Sequence, residues 1–198
     1  IKNNGFLGET DSSYATRLVT ATDNSIYQNI PQAVIYPKNN KDIQTALHSA
    51  QQDPFLSLTF GPRGGGTGTN GQSLTPGIVI DLSRHMREII EINVEEKWVK
   101  VQAGVIKDQL NDYLRPYGFF FAPDLSTSNR ATVGGMINTD ASGQGSLVYG
   151  KTSDHVLGLK TFLVDGTELN TQPISTEKAN VIANQEGRAS QIYQEVID

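Results

Sequence analysis

Apolar and polar positions along the chain follow two periods in turn. Val34-Ile35-Tyr36 is a short apolar run closed by Pro37, which predicts a strand. Asn39-Asn40 precede Ile43, Ala46, Leu47 and Ala50, spaced i, i+3, i+4, i+7, and predict a capped helix over residues 40–52. Leu56 to Phe60 predicts the next strand, so residues 34–60 read as a βαβ unit. Pro76-Gly77 followed by Ile78-Val79-Ile80-Asp81-Leu82 predicts a turn and a strand. Over residues 88–103, Ile90, Ile92 and Val94 alternate, Glu95-Glu96 mark a tip, and Val99, Val101 and Ala103 alternate back, as in a hairpin. Ile106, Leu110, Tyr113, Leu114 and Tyr117 share a helix face that stops at Pro116 and Gly118. Leu157 to Val164, closed by Asp165-Gly166, predicts another strand and turn. The first thirty residues are polar and carry no clear period. A βαβ opening followed by hairpins and helices predicts an α+β fold.

Between the second and third of these strands lies GPRGGGTGTNG, residues 61–71, with six glycines. Gly66 to Gly71 fits G-x-G-x-x-G, yet Pro76, Gly77 and a strand stand where a dinucleotide-binding helix has to begin. Gly66 to Ser73 nearly fits a phosphate loop, but Gln72 stands where the lysine is required. The physics common to both motifs survives. Glycines remove side chains, so consecutive backbone N–H groups can turn toward one anion. Seven of the chain's 19 glycines lie between 61 and 77 and five between 134 and 150, which predicts one extended ligand touched from two sides. A plain surface turn is the bland alternative, opposed by the entropy of ordering three adjacent glycines.

The composition narrows the chemistry. The 198 residues make one domain or two small ones around a shared core. A net charge of −5 with no basic stripe argues against nucleic acid. The absence of cysteine excludes disulfides, thiol catalysis and cysteine-held metal centres within this chain, and is in keeping with a reducing compartment. His48 reads as a surface residue on its helix, His85 sits near Arg84 and Arg87, and His155 reads as a loop-fixing residue; no two have metal-ligand spacing. Trp98 reads as hairpin packing. No apolar run reaches membrane-spanning length. The chain starts at Ile1 and stops inside an apolar pattern (Ile192, Tyr193, Val196, Ile197), so a piece of a longer protein is expected.

Several segments, in order, carry a family likeness: Pro31 to Pro37, Arg63 to Gly68, Val79 to Ser83, Val101 to Val105, Ala122-Pro123-Asp124, Ala131 to Met136, Tyr149-Gly150 and Val164 to Thr167. In these the chain resembles the FAD-binding domain of the vanillyl-alcohol-oxidase and p-cresol-methylhydroxylase type of flavoproteins. It is most similar to bacterial FAD-linked enzymes that oxidise D-2-hydroxy acids such as D-lactate, glycolate and D-2-hydroxyglutarate. Asp154-His155-Val156 after Tyr149-Gly150 resembles the subgroup with an appended iron–sulfur module. Met136 and Asp140 stand where the family often carries Asn.

The resemblance implies a two-subdomain FAD-binding fold, a small βαβ part over about residues 1–84 and a larger mixed or antiparallel part over 85–198. It implies that Arg63, Gly64, Gly65, Gly66, Thr67, Gly68, Thr69, Asn70 and Gly71 hold the diphosphate of FAD. Pro123, Asp124, Thr132, Gly134, Gly135, Ser142 and Gly143 would line the other side, with Val156 at the adenosine end. FAD is expected to be non-covalent, because residues 61–77 contain no histidine and the chain no cysteine. Residues 1–198 alone are expected to be inactive, with the substrate-binding and catalytic groups beyond residue 198. The parent protein is expected in the cytoplasm, with peripheral attachment to the inner face of the membrane left open. Two rivals remain: a non-catalytic nucleotide- or phosphate-binding module, and a UDP-sugar reductase of related fold.

Overall fold

The computed structural model describes residues 1 and 4–197. The chain divides into two compact units, Ile1–His155 and Val156–Asp198. The first is built on a four-stranded sheet of β1 (Glu9–Asp11), β2 (Ala33–Tyr36), β3 (Phe60–Arg63) and β4 (Ile78–Asp81), in the order β1-β2-β4-β3. β2 and β4 are central and parallel, and Val34 and Val79 are fully buried side by side in that pairing. That is why both read as unbroken apolar runs. β1, polar and antiparallel, and β3, carrying Gly61 and Pro62, take the edges. A proline without an N–H is tolerated at an edge.

Helix α1 (Tyr14–Thr20) precedes β2, and α2 (Asn40–Ala50) links β2 to β3. Asn39 caps α2 by accepting from the Asp42 N–H at 3.0 Å. Asp42 is 1% exposed and accepts from the backbone N–H groups of Leu7 and Lys38, both at 2.8 Å. One carboxylate thus ties the N-terminal segment to the start of α2. The expected strand at Leu56–Phe60 starts later. Phe55 and Leu56 are exposed and sit in tight turns, with Leu58 N–H bonded to the Phe55 carbonyl at 2.9 Å, and pairing begins only where Phe60 meets Ile78. β3 and β4 are parallel neighbours, and residues 64–77 make the crossover between them without a helix.

The rest of the first unit packs a second core. Strands β5 (Ile89–Asn93) and β6 (Trp98–Val101) form the expected hairpin. Its register shifts between Ile89 and Glu91, so Ile89 and Ile92 face the core while Ile90 and Val94 are exposed. A bulge of one residue puts Ile89, in place of the expected Ile90, on the core side with Ile92. Helix α3 (Lys107–Leu114) contributes Leu110 and Leu114, which pack with Val105 and Val133. It runs on through a single tight turn to Gly118, whose φ of 76° closes it. The glycine-rich stretch 132–150 contains two short helices, α4 (Val133–Asn138) and α5 (Ser146–Tyr149).

The second unit contains the hairpin of β7 (Leu159–Phe162) and β8 (Glu168–Thr171), turned at Asp165-Gly166. Helices α6 (Thr176–Ala183) and α7 (Arg188–Ile197) follow, joined by Ser190 and Gln194 side chains donating to the Ala183 carbonyl at 2.7 and 2.6 Å. The overall class is α+β. No helix among the described residues is long and apolar enough to cross a membrane.

Removing the Asp42 carboxylate strands two backbone donors at the root of the sheet. Asp42→Ala is expected to lower unfolding free energy by about 2–4 kcal/mol, read from denaturant midpoints. A loss below 1 kcal/mol would show that water replaces the carboxylate at no penalty.

Candidate functional site

The glycine loop and the start of α4 meet in space. An added Cβ at Gly64 would collide with Thr132 Oγ1, and one at Gly65 with the Arg130 carbonyl oxygen. Gly66 adopts φ +62°, a left-handed conformation that L side chains rarely take. The two glycine clusters therefore do lie together, about 65 residues apart in sequence.

Their backbone donors differ. Among the described residues, no backbone N–H from Gly64 to Thr69 donates to a protein acceptor. The next one, Asn70 N–H, donates to Gln72 Oε1 at 3.0 Å. The first turn of α4 is already satisfied. Val133 N–H donates to the Val105 carbonyl and Gly134 N–H to the Ala103 carbonyl, each at 2.8 Å, and Gly135 N–H to Thr132 Oγ1 at 3.3 Å. The loop is the part that can receive an anion. The α4 glycines serve close packing instead: a Cβ at Gly134 would stand 2.7 Å from the Ala103 Cβ. Gly135 alone faces outward, with Thr132 Oγ1 at 3.2 Å as the one neighbour of an added Cβ.

Of the other expected contacts, four pack on one another. Pro123 is fully buried and Asp124 exposed. A Cβ at Gly143 would strike the Asp124 carbonyl, and Gly143 N–H donates to Ser146 Oγ at 2.9 Å. Pro123-Asp124 and Ser142-Gly143 thus form one packed corner. Asp140 holds φ +44°, a conformation that suits Asn or Asp, and accepts from Ser153 N–H at 3.0 Å. That backbone hydrogen bond, with the Lys151 ammonium, holds its carboxyl below the ordinary value. Met136 is buried and packs inward. Val156 belongs to the second unit.

A cleft of about 230 Å³ opens beside the loop, lined by Val19, Thr22, Asp23, Arg63, Thr67 and Arg130 among others. Arg63 is half-buried, and its guanidinium donates to the carbonyls of Thr22 at 2.8 Å and Thr20 at 3.3 Å. Burial pushes its pKa down while the carboxylates of Asp81 and Asp23 pull the other way. Burial pushes Asp23 up, but hydrogen bonds from Ser25 and Ser73 and the charge of Arg63 outweigh it and hold the group below its ordinary value. Among the described residues, the Arg130 guanidinium has no acceptor and is the cation left available at this cleft.

A larger cleft of about 520 Å³, which shares Val19 and Arg63 with the first, is lined also by Tyr36, Asp81, Ser83, Arg84 and Arg87. Its cations are engaged. Arg84 stacks 3.5 Å over the Tyr36 ring and bonds Glu9 at 2.8 Å, while Arg87 donates to Gln109 at 2.9 Å. His85 also pairs with Glu9, at 2.6 Å. His155 sits 2.6 Å from the Tyr149 carbonyl and so fixes the loop after α5. His48 is exposed. Sequence reasoning missed Thr22, Asp23 and Asn24, which wall the smaller cleft. Their signal is local: Ser25 N–H donates to Asp23 Oδ1 at 2.8 Å, an Asx-turn in a segment with no apolar period.

A family model described as "FAD binding domain" matches residues 31–172. D-2-hydroxyglutarate dehydrogenase of Pantoea ananatis (strain AJ13355) is 59% identical over 197 residues, 100% of this chain and 19% of that protein. The enzyme of the same name from Escherichia coli (strain K12) is 59% identical over 196 residues, 99% of this chain and 19% of that protein. Glycolate oxidase subunit GlcD of Bacillus subtilis (strain 168) is 37% identical over 165 residues, 81% of this chain and 34% of that protein. The chain thus spans about a fifth of the length of these two curated relatives. Among solved structures, an alkyldihydroxyacetonephosphate synthase aligns with TM-score 0.73 at 19% identity, over 85% of this chain and 34% of that one. Physcomitrella patens BBE-like 1 aligns with TM-score 0.72 at 18% identity, over 86% and 36%. These two likenesses show the fold.

Two glycines separate packing from ligand approach. Gly65→Ala drives a Cβ against the Arg130 backbone and is expected to cost about 1–3 kcal/mol of stability together with most of the flavin. Gly135→Ala is expected to stay within about 1 kcal/mol of the unsubstituted protein. Thermal melts and the flavin-to-protein absorbance ratio check both; equal stability of the two variants would contradict the packing described.

Proposed function

The chain belongs to the FAD-binding domain family, and from that premise we propose that it is the flavin-holding part of a dehydrogenase that oxidises D-2-hydroxyglutarate to the 2-oxo acid. The observation that carries the FAD half is the run of unengaged backbone donors from Gly64 to Thr69, kept clear of side chains by its glycines. An anion with several oxygens, such as a diphosphate, suits such a row better than a single acceptor does. The substrate half is supported by the 59% identity to D-2-hydroxyglutarate dehydrogenases over almost all of this chain, against 37% to the glycolate oxidase subunit.

In this reading residues 64–71 wrap the diphosphate, and Arg63 holds the loop from its entry. Thr132, Gly135 and the corner of Pro123, Asp124, Ser142 and Gly143 border the rest of the cofactor. Gly134 supports that border through packing on Ala103. Arg130, the available cation, faces the phosphate charge. When bound, FAD supplies a hydride acceptor. The residues here bind and orient it; the hydroxy acid gives up a hydride and its hydroxyl proton to become the 2-oxo acid, with groups outside this chain acting on the proton. A division at about residue 84 would fall inside the first compact unit, Ile1–His155, between the end of β4 at Asp81 and the start of the β5–β6 hairpin at Ile89. Non-covalent attachment is supported by the lack of histidine in 61–77 and of cysteine throughout. An iron–sulfur module in the parent and a cytoplasmic setting rest on the family resemblance alone.

The test is anaerobic. The full-length protein carrying this chain is mixed with D-2-hydroxyglutarate, D-lactate or glycolate, and the flavin band at about 450 nm is followed. Bleaching is expected fastest with D-2-hydroxyglutarate, and none with residues 1–198 alone. Preference for glycolate or D-lactate would overturn the substrate assignment. Acid precipitation is expected to leave the yellow colour in the supernatant; colour in the pellet would contradict non-covalent binding.

A further inference from the structure

Arg63 stands at the entry of the glycine loop, where a direct contact with the diphosphate is the simplest expectation. Its guanidinium is turned elsewhere. Nη2 donates to the Thr22 carbonyl at 2.8 Å, and Nη1 to the Thr20 carbonyl at 3.3 Å and to Ser73 Oγ at 3.5 Å. Ser73 Oγ in turn donates to Asp23 Oδ2 at 3.0 Å. Both ends of the loop, Arg63 before it and Ser73 after it, are therefore fastened to residues 20–23. Gly66 folds back over the guanidinium, close enough that an added Cβ would stand 2.5 Å from Nη2. The carboxylates of Asp23 and Asp81 supply the charge that this half-buried cation needs. Residues 20–23 lie outside the 31–172 span matched by the family model.

We infer that Arg63 is a positioning residue, which with Ser73 pins the glycine loop to the N-terminal segment so that its donors are aligned before the cofactor arrives, and which does not itself touch the diphosphate. The inference rests on the reading of this loop as the FAD diphosphate site. Its chemistry depends on the guanidinium fork. Two separate carbonyls and a hydroxyl are reached from one planar group, a geometry that the single ammonium of lysine does not reproduce. A loop released from this anchor spends only part of its time in the binding-competent form, and affinity falls by that fraction.

The experiment is stopped-flow FAD binding to the apoprotein, comparing the unsubstituted protein with Arg63→Lys, Arg63→Gln and Ser73→Ala. If the competent loop drops to a tenth of the population, Kd rises about tenfold. The rise is expected in both Arg63 variants, through slower association with the dissociation rate near that of the unsubstituted protein. Ser73→Ala is expected to show a smaller change in the same direction. The slope of log Kd against log salt is expected to stay as it was, because no phosphate–guanidinium pair is lost. Restored affinity in Arg63→Lys, with the Arg63→Gln loss in the dissociation rate and a flatter salt slope, would overturn the inference in favour of direct contact. Unchanged binding in all three variants would overturn it as well. Failure of the unsubstituted protein to bind FAD would instead refute the FAD reading of the loop.

Discussion

Gly64 and Gly65 lie against Thr132 and Arg130 with no room for a Cβ on either, and the rest of the site depends on that approach of two backbones. It brings the β3–β4 crossover onto the segment that starts α4. It also leaves the first half of the crossover, Gly64 to Thr69, with backbone donors that no protein acceptor engages among the described residues. Parallel neighbours are usually joined through a helix, which satisfies its own backbone. Here the connection is a loop whose donors from Gly64 to Thr69 have no protein acceptor among the described residues. An exposed loop can leave donors to water, and an anion can then replace that water. Fold and binding capacity arise from the same residues.

The distribution of engaged and unengaged groups decides which residues face the ligand. The first turn of α4 has the look of an anion site, yet its donors reach Ala103, Val105 and Thr132. Arg63, Arg84 and Arg87 are all near a cleft, and all three have protein acceptors. Arg130 and the loop donors remain. A net charge of −5 is compatible with an anionic ligand because the loop's attraction is local and carried by backbone dipoles.

Much of this was legible in the sequence. The strands at 34–36 and 78–82 are buried on both faces, so their apolar runs had one simple reading. The α2 cap was legible because Asn39 acts within three residues of itself. The glycine clusters announced themselves by density, and their order along the chain carried the family resemblance. What stayed hidden depends on distant partners. The start of β3 is set by pairing with Ile78, not by the apolar residues at 55–58. The outward turn of Ile90 follows from a bulge that no alternation rule foresees. α4 was hidden because glycines lower helix propensity, while the packing on Ala103 that requires them lies about thirty residues away. The wall formed by Thr22 and Asp23 was illegible because its order comes from Arg63 and Ser73, about forty and fifty residues downstream.

The central claim is that the backbone N–H groups from Gly64 to Thr69 receive the diphosphate of FAD. Amide hydrogen exchange measures those groups one by one. In the apoprotein they are expected to exchange fast, lacking acceptors. With FAD bound they are expected to slow markedly, and with riboflavin, which shares the ring system but carries no phosphate, to remain fast. Protection of this loop by both ligands alike, or by neither while FAD is bound, would contradict the account.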